Sequence, residues 1–334
     1  MKKNIYLYLL IIVFAMTAMV GCGGTQQAAK PADKPIVLKL GHSTPPTHPY
    51  NLGAEQLAKL VDQKTNGKVK IQVFHSSQLG SERELIEGLQ MGTVDMTVIS
   101  TAPLSGFSSK FLVLDLPFIF TSTEHAYKVL DGPIGTEILS SLNEKGIIGL
   151  AFWENGFRNI TNSKLPILHP ADMKGMKIRT MENPIHMASF SQIGSDPTPM
   201  AFGELFTALQ QKTVDSQENP LPIIWTSNFH EVQKYLSMTG HFYAAAPLLI
   251  SKTAWDKLPA DAQAALKEAA TEAKKFERDQ IQKMDKELVA KFKEKGVQVS
   301  EVDKKEWVEA MLPVYKQFES KIGTDIITKV QNVK

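Results

Sequence analysis

Between residues 36 and 100, segments with the two-residue hydrophobic period of β-strands alternate with segments that have the 3.6-residue period of α-helices. Residues 36–42 (IVLKLGH), 69–74 (VKIQVF) and 94–100 (VDMTVIS) have the alternating, β-branched character of strands. Residues 51–66 carry leucine and valine near helical spacing, and residues 81–92 begin with a capping serine and end with a glycine. This β-α-β-α-β order predicts a parallel sheet with helices on both faces.

Part of this pattern occurs twice. The stretch ELIEGLQMGTVDMTVIS begins at Glu84, and ELFTALQQKTVDSQENP begins at Glu204 with Glu-Leu, Leu-Gln and Thr-Val-Asp at the same internal spacing. A strand at 176–181 (MKIRTM) precedes the second copy and is matched with VKIQVF of the first. We therefore predict two structurally similar α/β lobes. Because ligands of open α/β sheets lie beyond the carboxyl ends of the strands, the divergent tails of the two copies are expected to face a site.

The C-terminal third is different in character. Residues 259–295 are rich in alanine and in helix-favouring charged residues, without a break before Gly296. Such a helix would be about 50 Å long at 1.5 Å per residue, long enough to span both lobes. Asp303 is predicted to cap a further helix, and Pro313 to kink it.

The first 21 residues have the composition of a signal peptide, with two lysines followed by an apolar stretch. Cys22 is the only cysteine, and Met19-Val20-Gly21-Cys22 resembles a bacterial lipobox, with methionine where leucine is usual. We interpret Cys22 as the lipidated first residue of an exported protein; the alternatives are an uncleaved membrane anchor or an unrelated thiol. Residues 22–35 are short, polar and proline-bearing, as expected of a tether.

Composition narrows the function classes. The chain has 334 residues, 43% of them apolar, and its formal net charge is +2 without a basic stripe, which argues against nucleic acid as a partner. No GxSxG elbow, Walker-type loop or HExxH motif is present, and no nucleophilic cysteine would remain in the mature chain. The sequence thus predicts no catalytic residue, no metal site, no cofactor and no enzymatic activity.

Two arginines are the main candidates for ligand binding. Arginine occurs only at positions 83, 158, 179 and 278, and its rigid guanidinium grips a carboxylate in a bidentate manner. Arg179 ends a predicted strand, where a ligand would lie, and Arg158 follows Trp153-Glu154-Asn155-Gly156-Phe157 in a turn-like segment. A structural salt bridge is the alternative for each of them.

Two further residues come from the second copy of the repeat. Pro220 keeps Asn219 out of the helical conformation, so that its amide could point into a cleft and bind a polar group. Phe202 begins the repeated helix and is either a wall of that cleft or a core aromatic residue.

At these residues the chain resembles the solute-binding proteins of TRAP transporters (tripartite ATP-independent periplasmic transporters), the dicarboxylate-binding protein family. The resemblance is carried in order by SSQLGSERELIEGLQMGTVDM, ENGFRNITNSK, ADMKGMKIRTMENP, GSDPTPMAFGELFTALQQKTVDSQENP and FHEVQKYL, which span nearly the whole mature chain. It implies a two-lobed, periplasmic-binding-protein-like α/β fold with a hinge, a central ligand cleft and a long C-terminal helix spanning both lobes. Lobe I would comprise 36–155 with part of 245–285, and lobe II 156–244 with part of 286–334.

The resemblance also implies roles for particular residues. An arginine at the Arg179 position forms the main salt bridge with the ligand carboxylate, and Arg158, Asn219 and Phe202 occupy positions that join it. Candidates from the first lobe, which vary with the ligand, are His42, His48, Glu82 and Ser100. Sialic-acid-binding members carry an acidic residue near the Ser100 position and an asparagine near the His48 position, and this chain departs from both. Its segment ENGFRNITNSK looks closer to the dicarboxylate and sugar-acid members.

The function that follows is an exported, lipid-anchored, monomeric receptor that closes around an organic acid and delivers it to TRAP membrane subunits for ion-gradient-driven uptake. An ABC-type binding protein, a sensory binding protein and an exported carboxylate-processing enzyme are the alternatives. Two arginines fit a hydroxylated monocarboxylate, a dicarboxylate or a sugar acid, and the sequence leaves these open.

Overall fold

The computed structural model describes residues 34–334, so the predicted signal peptide, Cys22 and most of the predicted tether lie outside the described residues. Residues Pro35–Lys334 form one compact unit. Within the described range, no helix combines the length and the apolar character needed to cross a membrane.

A single mixed sheet forms the centre of this unit. Its order along the sheet is β2-β1-β3-β8-β4-β7-β5-β6, with β9 paired to β8. The strands are β1 (Ile36–Gly41), β2 (Val69–Phe74), β3 (Met96–Val98), β4 (Ile147–Asn162), β5 (Lys177–Thr180), β6 (Asp196–Pro199), β7 (Ser216–Pro220), β8 (Tyr235–Ser251) and β9 (Gln298–Glu301).

Helices cover the sheet and alternate with its outer strands. They are α1 (Pro49–Lys64), α2 (Glu82–Met91), α3 (Thr123–Leu130), α4 (Pro133–Ser140), α5 (Pro184–Gln192), α6 (Phe202–Gln210), α7 (Leu221–Thr226), α8 (Lys252–Asp256), α9 (Ala260–Glu294), α10 (Lys304–Met311), α11 (Pro313–Ile322) and α12 (Thr324–Gln331). Short 3₁₀ segments, among them Ala102–Gly106 and Ser109–Asp115, connect them.

The repeat seen in the sequence is a repeat of topology. In the first copy β1 is flanked by β2 at the edge and by β3, and in the second copy β5 is flanked in the same way by β6 and β7, with all four pairings parallel. The matching helices α2 and α6 both bury their leucines, Leu85 and Leu89 in one and Leu205 and Leu209 in the other. The strand match made from the sequence is wrong: the counterpart of β2 is β6, and β5 corresponds to β1.

The centre of the sheet differs from the all-parallel sheet that the sequence predicts. The long strands β4 and β8 pair with each other and with β7 and β3, and these pairings are antiparallel. They lie between the two copies of the repeat in the sheet, and the β4–β8 ladder has register shifts at Gly149/Ala151, Glu154/Gly156 and Arg158/Ile160. Such irregularities locally break a ladder and bend its strands. Arg158 therefore lies in a strand and not in the turn-like segment expected.

The long helix predicted over 259–295 is present as α9, which has 35 residues. Its N-terminal half contributes Leu266, Ala269 and Ala273 to a core with β1 and α1. Its C-terminal half contributes Leu288 and Phe292 to a separate core with α6 and α7. One helix thus supports both copies of the repeat, which confirms the two-lobed α/β architecture; the exact lobe boundaries stay a prediction.

Local signals in the sequence set several element ends. Ser81 forms a capping box with Glu84 at the start of α2, and Gly92 ends the helix in the left-handed conformation with φ of 71°. Asp303 caps α10 by accepting a hydrogen bond from the Lys305 N–H. Pro313 was expected to kink a helix; it instead begins α11, and Leu312 alone separates it from the end of α10.

Candidate functional site

A small cavity, the central cavity, lies at the carboxyl ends of the strands that the repeat predicts to face a ligand. Both copies of the repeat and the bulged strand β4 contribute to it. It is lined by Ser43, Thr44, Tyr50, Glu82, Ser100, Asn155, Arg158, Arg179, Met181, Phe202, Asn219 and Ile223.

Arg179 projects into the central cavity from β5 and is 2% exposed. Its Nε and Nη2 donate to the Met200 carbonyl at 3.0 and 2.7 Å, and its Nη1 is buried without a hydrogen-bond partner. Burial, together with nearby Arg158, lowers the pKa of Arg179 to about 10, so it remains a cation at neutral pH. No carboxylate of the described residues forms an ion pair with it, which is unusual for a buried charge.

Arg158 is held by a buried ion pair. Its Nε and Nη2 donate to the two carboxylate oxygens of Glu218 at 2.5 and 2.7 Å, and both side chains are fully buried. Burial would raise the pKa of Glu218, but Arg158 and a hydrogen bond from His241 lower it below its usual range. The structural salt bridge considered from the sequence is therefore present, yet Nη1 of Arg158 is buried without a partner and the residue still lines the central cavity.

Asn219 and Phe202 line the same cavity. Asn219 lies in β7, and its amide is already engaged, since Oδ1 accepts from Arg158 at 3.0 Å and Nδ2 donates to Gln217 at 2.6 Å. It holds Arg158 in place in addition to facing the cavity. Phe202 begins α6 and packs against Phe229 with ring centroids 5.9 Å apart, so it is at once a wall of the cavity and the edge of a core.

The first lobe contributes Glu82 and Ser100. Glu82 is the first residue of α2, and its Oε1 accepts a hydrogen bond from the Ser100 N–H at 2.9 Å. Burial raises the pKa of Glu82, although the Ser100 hydrogen bond and the two arginines act in the opposite direction. The Ser100 hydroxyl is buried and has no partner.

His42 and His48 are not among the residues that line the cavity. The His42 ring bonds Asn51 at 3.2 Å and Thr44 at 3.1 Å, and burial lowers its pKa to about 4. His48 caps α1 by accepting from the Tyr50 N–H. Both rings have hydrogen-bond partners within the protein, and the ligand contact expected of them stays a prediction.

The sequence reasoning did not select Ser43, Thr44, Tyr50, Asn155, Met181 or Ile223 as site residues. Three of them had a signal, because Met181 directly follows β5, and Ser43 and Thr44 come two and three residues after the end of β1. Tyr50 and Asn155 each place a buried polar atom without a partner at the cavity, the Tyr50 hydroxyl and Asn155 Oδ1. With Ser100 Oγ and the two Nη1 atoms, five unpaired buried polar atoms therefore converge on one cavity, an arrangement that suits a small polar anion.

Comparisons with known proteins identify the family of this chain. Residues 40–321 match the DctP family model, described as bacterial extracellular solute-binding protein, family 7. The 2,3-diketo-L-gulonate-binding periplasmic protein YiaO of Escherichia coli K12 is 38% identical over 275 residues, which cover 82% of this chain and 84% of YiaO.

Solved structures give the same result. A TRAP periplasmic solute-binding protein from Polaromonas sp. JS666, bound to D-erythronate, is 45% identical with a TM-score of 0.88, covering 90% of this chain and 99% of that one. The sugar acid binding protein DctPAm from Advenella mimigardefordensis, in complex with galactonate, is 37% identical with the same TM-score and covers 90% of this chain and 98% of its own. The chain therefore belongs to family 7 of the bacterial extracellular solute-binding proteins, the substrate-binding proteins of TRAP transporters.

Proposed function

We propose that this protein is the extracytoplasmic receptor of a TRAP transporter, that it binds an organic acid through its carboxylate, and that it delivers the acid to membrane subunits for uptake. The observation that carries this proposal is the Arg179 guanidinium, which is buried without a counter-ion. Its free Nη1 shares the central cavity with the free Nη1 of Arg158. A carboxylate is the group that would pair with both.

The energetics support a ligand that closes the cleft. An unpaired guanidinium loses several kcal/mol of hydration when it is buried. In an open form Arg179 is hydrated, and in a closed form a ligand carboxylate replaces that water, so the ligand favours closure by its differential affinity for the two states. The 2,3-diketo-L-gulonate, D-erythronate and galactonate named for the relatives are all carboxylic acids.

A thermal-shift screen of the purified protein against organic acids and matched neutral sugars tests the proposal. A ligand at a hundred times its Kd stabilises the native state by about 2.7 kcal/mol, so at least one carboxylate is expected to raise Tm by several degrees. Mass spectrometry should recover that acid unchanged, which separates a receptor from a carboxylate-processing enzyme. A response to neutral sugars alone, or conversion of the acid, would contradict the proposal.

We further propose that Cys22 carries a lipid anchor. The support is its position directly after a signal-peptide-like segment, its small neighbour Gly21 and the absence of any other cysteine from the chain. Acyl chains on Cys22 would retain the receptor at the membrane surface. Cys22→Ser is expected to move the protein from the membrane fraction to the soluble fraction without changing its affinity for ligand. A Cys22→Ser protein that still sediments with membranes would refute the anchor.

A further inference from the structure

The long helix α9 supplies hydrogen-bond partners for the backbone of β4. Among the described strands, only β7 pairs with β4 on the side opposite β8, and it does so over 158–162, so buried backbone groups before that range need other partners. Glu277 Oε2 accepts a hydrogen bond from the Glu154 N–H at 2.9 Å. Arg278, the next residue, donates from Nη2 to the Phe152 carbonyl at 2.7 Å. Two side chains of α9 thus take the place of a neighbouring strand.

The Glu154 N–H lies at the bulge of β4 that borders the central cavity. The β4–β8 register shifts between Glu154 and Gly156, so Asn155 is the extra residue of the bulge. Asn155 lines the central cavity, and its Oδ1 is buried without a hydrogen-bond partner. A bulge re-aims a side chain beside a binding site. The hydrogen bond to Glu277 therefore holds the backbone from which Asn155 faces the cavity.

Two further contacts tie this segment of β4 to the protein around it. The guanidinium of Arg278 is itself fixed by Asp131, with Nη1 and Nη2 at 2.7 and 3.0 Å from the carboxylate oxygens. Gln282 Nε2 donates to both carboxylate oxygens of Glu154 at 3.1 and 3.0 Å. These residues and Glu277 lie near the middle of α9, between the part that packs with β1 and α1 and the part that packs with α6 and α7. The bulge is therefore held by the segment of α9 that joins its two cores.

Glu277 makes its hydrogen bond to β4 at a cost in stability. Its side chain is fully buried, and its Oε1 has no hydrogen-bond partner. Burial raises the pKa of Glu277 well above its usual range. The residue does not line the central cavity. A buried carboxyl group with an unpaired oxygen destabilises a fold relative to an apolar side chain of the same size, so packing alone does not account for glutamate at this position.

We propose that Glu277 is a positioning residue for ligand binding: it holds the Glu154 N–H and thereby fixes the bulge that presents Asn155 to the central cavity. This inference rests on the proposed function and adds to it a residue that acts without touching the ligand. Without the Glu277 acceptor, the buried Glu154 N–H has no partner and the bulge is free to rearrange. The ligand must then restore the orientation of Asn155 when it binds, and that reorganisation lowers the affinity.

Titration calorimetry of the purified full-length protein measures this effect. The probe is whichever acid of the thermal-shift screen, which includes D-erythronate, D-galactonate and succinate, raises Tm most. Glu277→Met keeps the length of the side chain but removes the acceptor, and it is expected to weaken binding by about 10-fold. Glu277→Gln keeps an acceptor oxygen for the Glu154 N–H, and its Kd should stay within about 3-fold of wild type.

A double-mutant cycle shows whether Glu277 acts through Asn155. Asn155→Ala removes the group that the bulge presents and is itself expected to weaken binding. In the Asn155→Ala background, Glu277→Met should change Kd by less than about 2-fold, because the group that Glu277 positions is gone. A purely structural effect of Glu277 would instead raise Kd by the same factor in both backgrounds.

Leu266→Ala is the control for a loss of packing by α9. Leu266 is fully buried in the core that α9 forms with β1 and α1, and it does not line the cavity. This substitution should lower the Tm of the ligand-free protein and leave Kd within about 2-fold of wild type.

Each result decides the proposal. A wild-type Kd in Glu277→Met, or an equal effect in the Asn155→Ala background, overturns the positioning role and leaves the receptor assignment intact. A Glu277→Gln protein that binds as weakly as Glu277→Met overturns the role of the hydrogen bond. If Glu277→Met does not fold, Glu277→Asp takes its place, because its side chain is one methylene shorter and withdraws the acceptor. If no acid of the screen binds the wild-type protein, the proposed function fails and the inference fails with it.

Discussion

Arg179→Ala is expected to weaken ligand binding by about 30-fold to several thousand-fold, which corresponds to about 2–5 kcal/mol. The cause is the loss of the cation that has no other charged partner in the cavity, so the ligand carboxylate would be buried beside Arg158 alone. Titration calorimetry with an acid identified by the thermal-shift screen measures the effect. Arg179→Lys should also weaken binding, because an ammonium group lacks the bidentate geometry of guanidinium.

The same substitution should leave the ligand-free protein folded. Removing Arg179 loses two hydrogen bonds to the Met200 carbonyl, but it breaks no ion pair among the described residues. The ligand-free Tm is therefore expected to stay within a few degrees of wild type. Lys110→Ala is the control, because Lys110 is a cation that is 51% exposed, pairs with Glu137 and does not line the cavity. Equal affinities for wild type and Arg179→Ala would mean that the carboxylate site lies elsewhere.

The elements and residues that sequence reasoning identified are those governed by local rules. The ends of α2 follow from a capping serine and a left-handed glycine, and α9 follows from a long helix-favouring run. Arg179 could be selected because arginine is rare in this chain and because the residue lies near the carboxyl end of a strand.

The sequence predictions are wrong where tertiary packing overrides the hydrophobic period of a segment. β4 and β8 are buried along most of their length and are interrupted by bulges, so neither shows the alternation of a half-exposed strand. β6 has the sequence Asp-Pro-Thr-Pro, which is tolerated only at the edge of a sheet and does not have the pattern of a strand. The sequence reasoning therefore matched VKIQVF with MKIRTM, which contains β5, and not with β6. Tyr50 and Asn155 reach the cavity from a helix and from a bulge, which no spacing rule in the sequence connects.

Arg158→Ala is expected to impair both binding and stability, in contrast to Arg179→Ala. It removes the partner of Glu218, whose carboxylate is fully buried, and breaking such a pair costs about 3–5 kcal/mol of unfolding free energy. Urea denaturation of the ligand-free protein at pH 7 measures this loss. The conservative substitution Arg158→Lys keeps the positive charge but loses the bidentate contact with Glu218, and should retain part of the stability.

The pH dependence of stability and a second substitution show whether the unpaired Glu218 causes the stability loss in Arg158→Ala. Because the pKa of Glu218 is lowered in the native state, the pair stabilises the fold above the ordinary carboxyl pKa of 4.5 and ceases to do so as the pH falls through the lower native value. The stability difference between wild type and Arg158→Ala should therefore shrink as the pH is lowered below 4.5. Adding Glu218→Gln to Arg158→Ala should restore part of the lost stability at pH 7, because it removes the uncompensated charge. If the double variant is less stable than Arg158→Ala and the deficit does not vary with pH, the loss arises from packing and not from the broken ion pair.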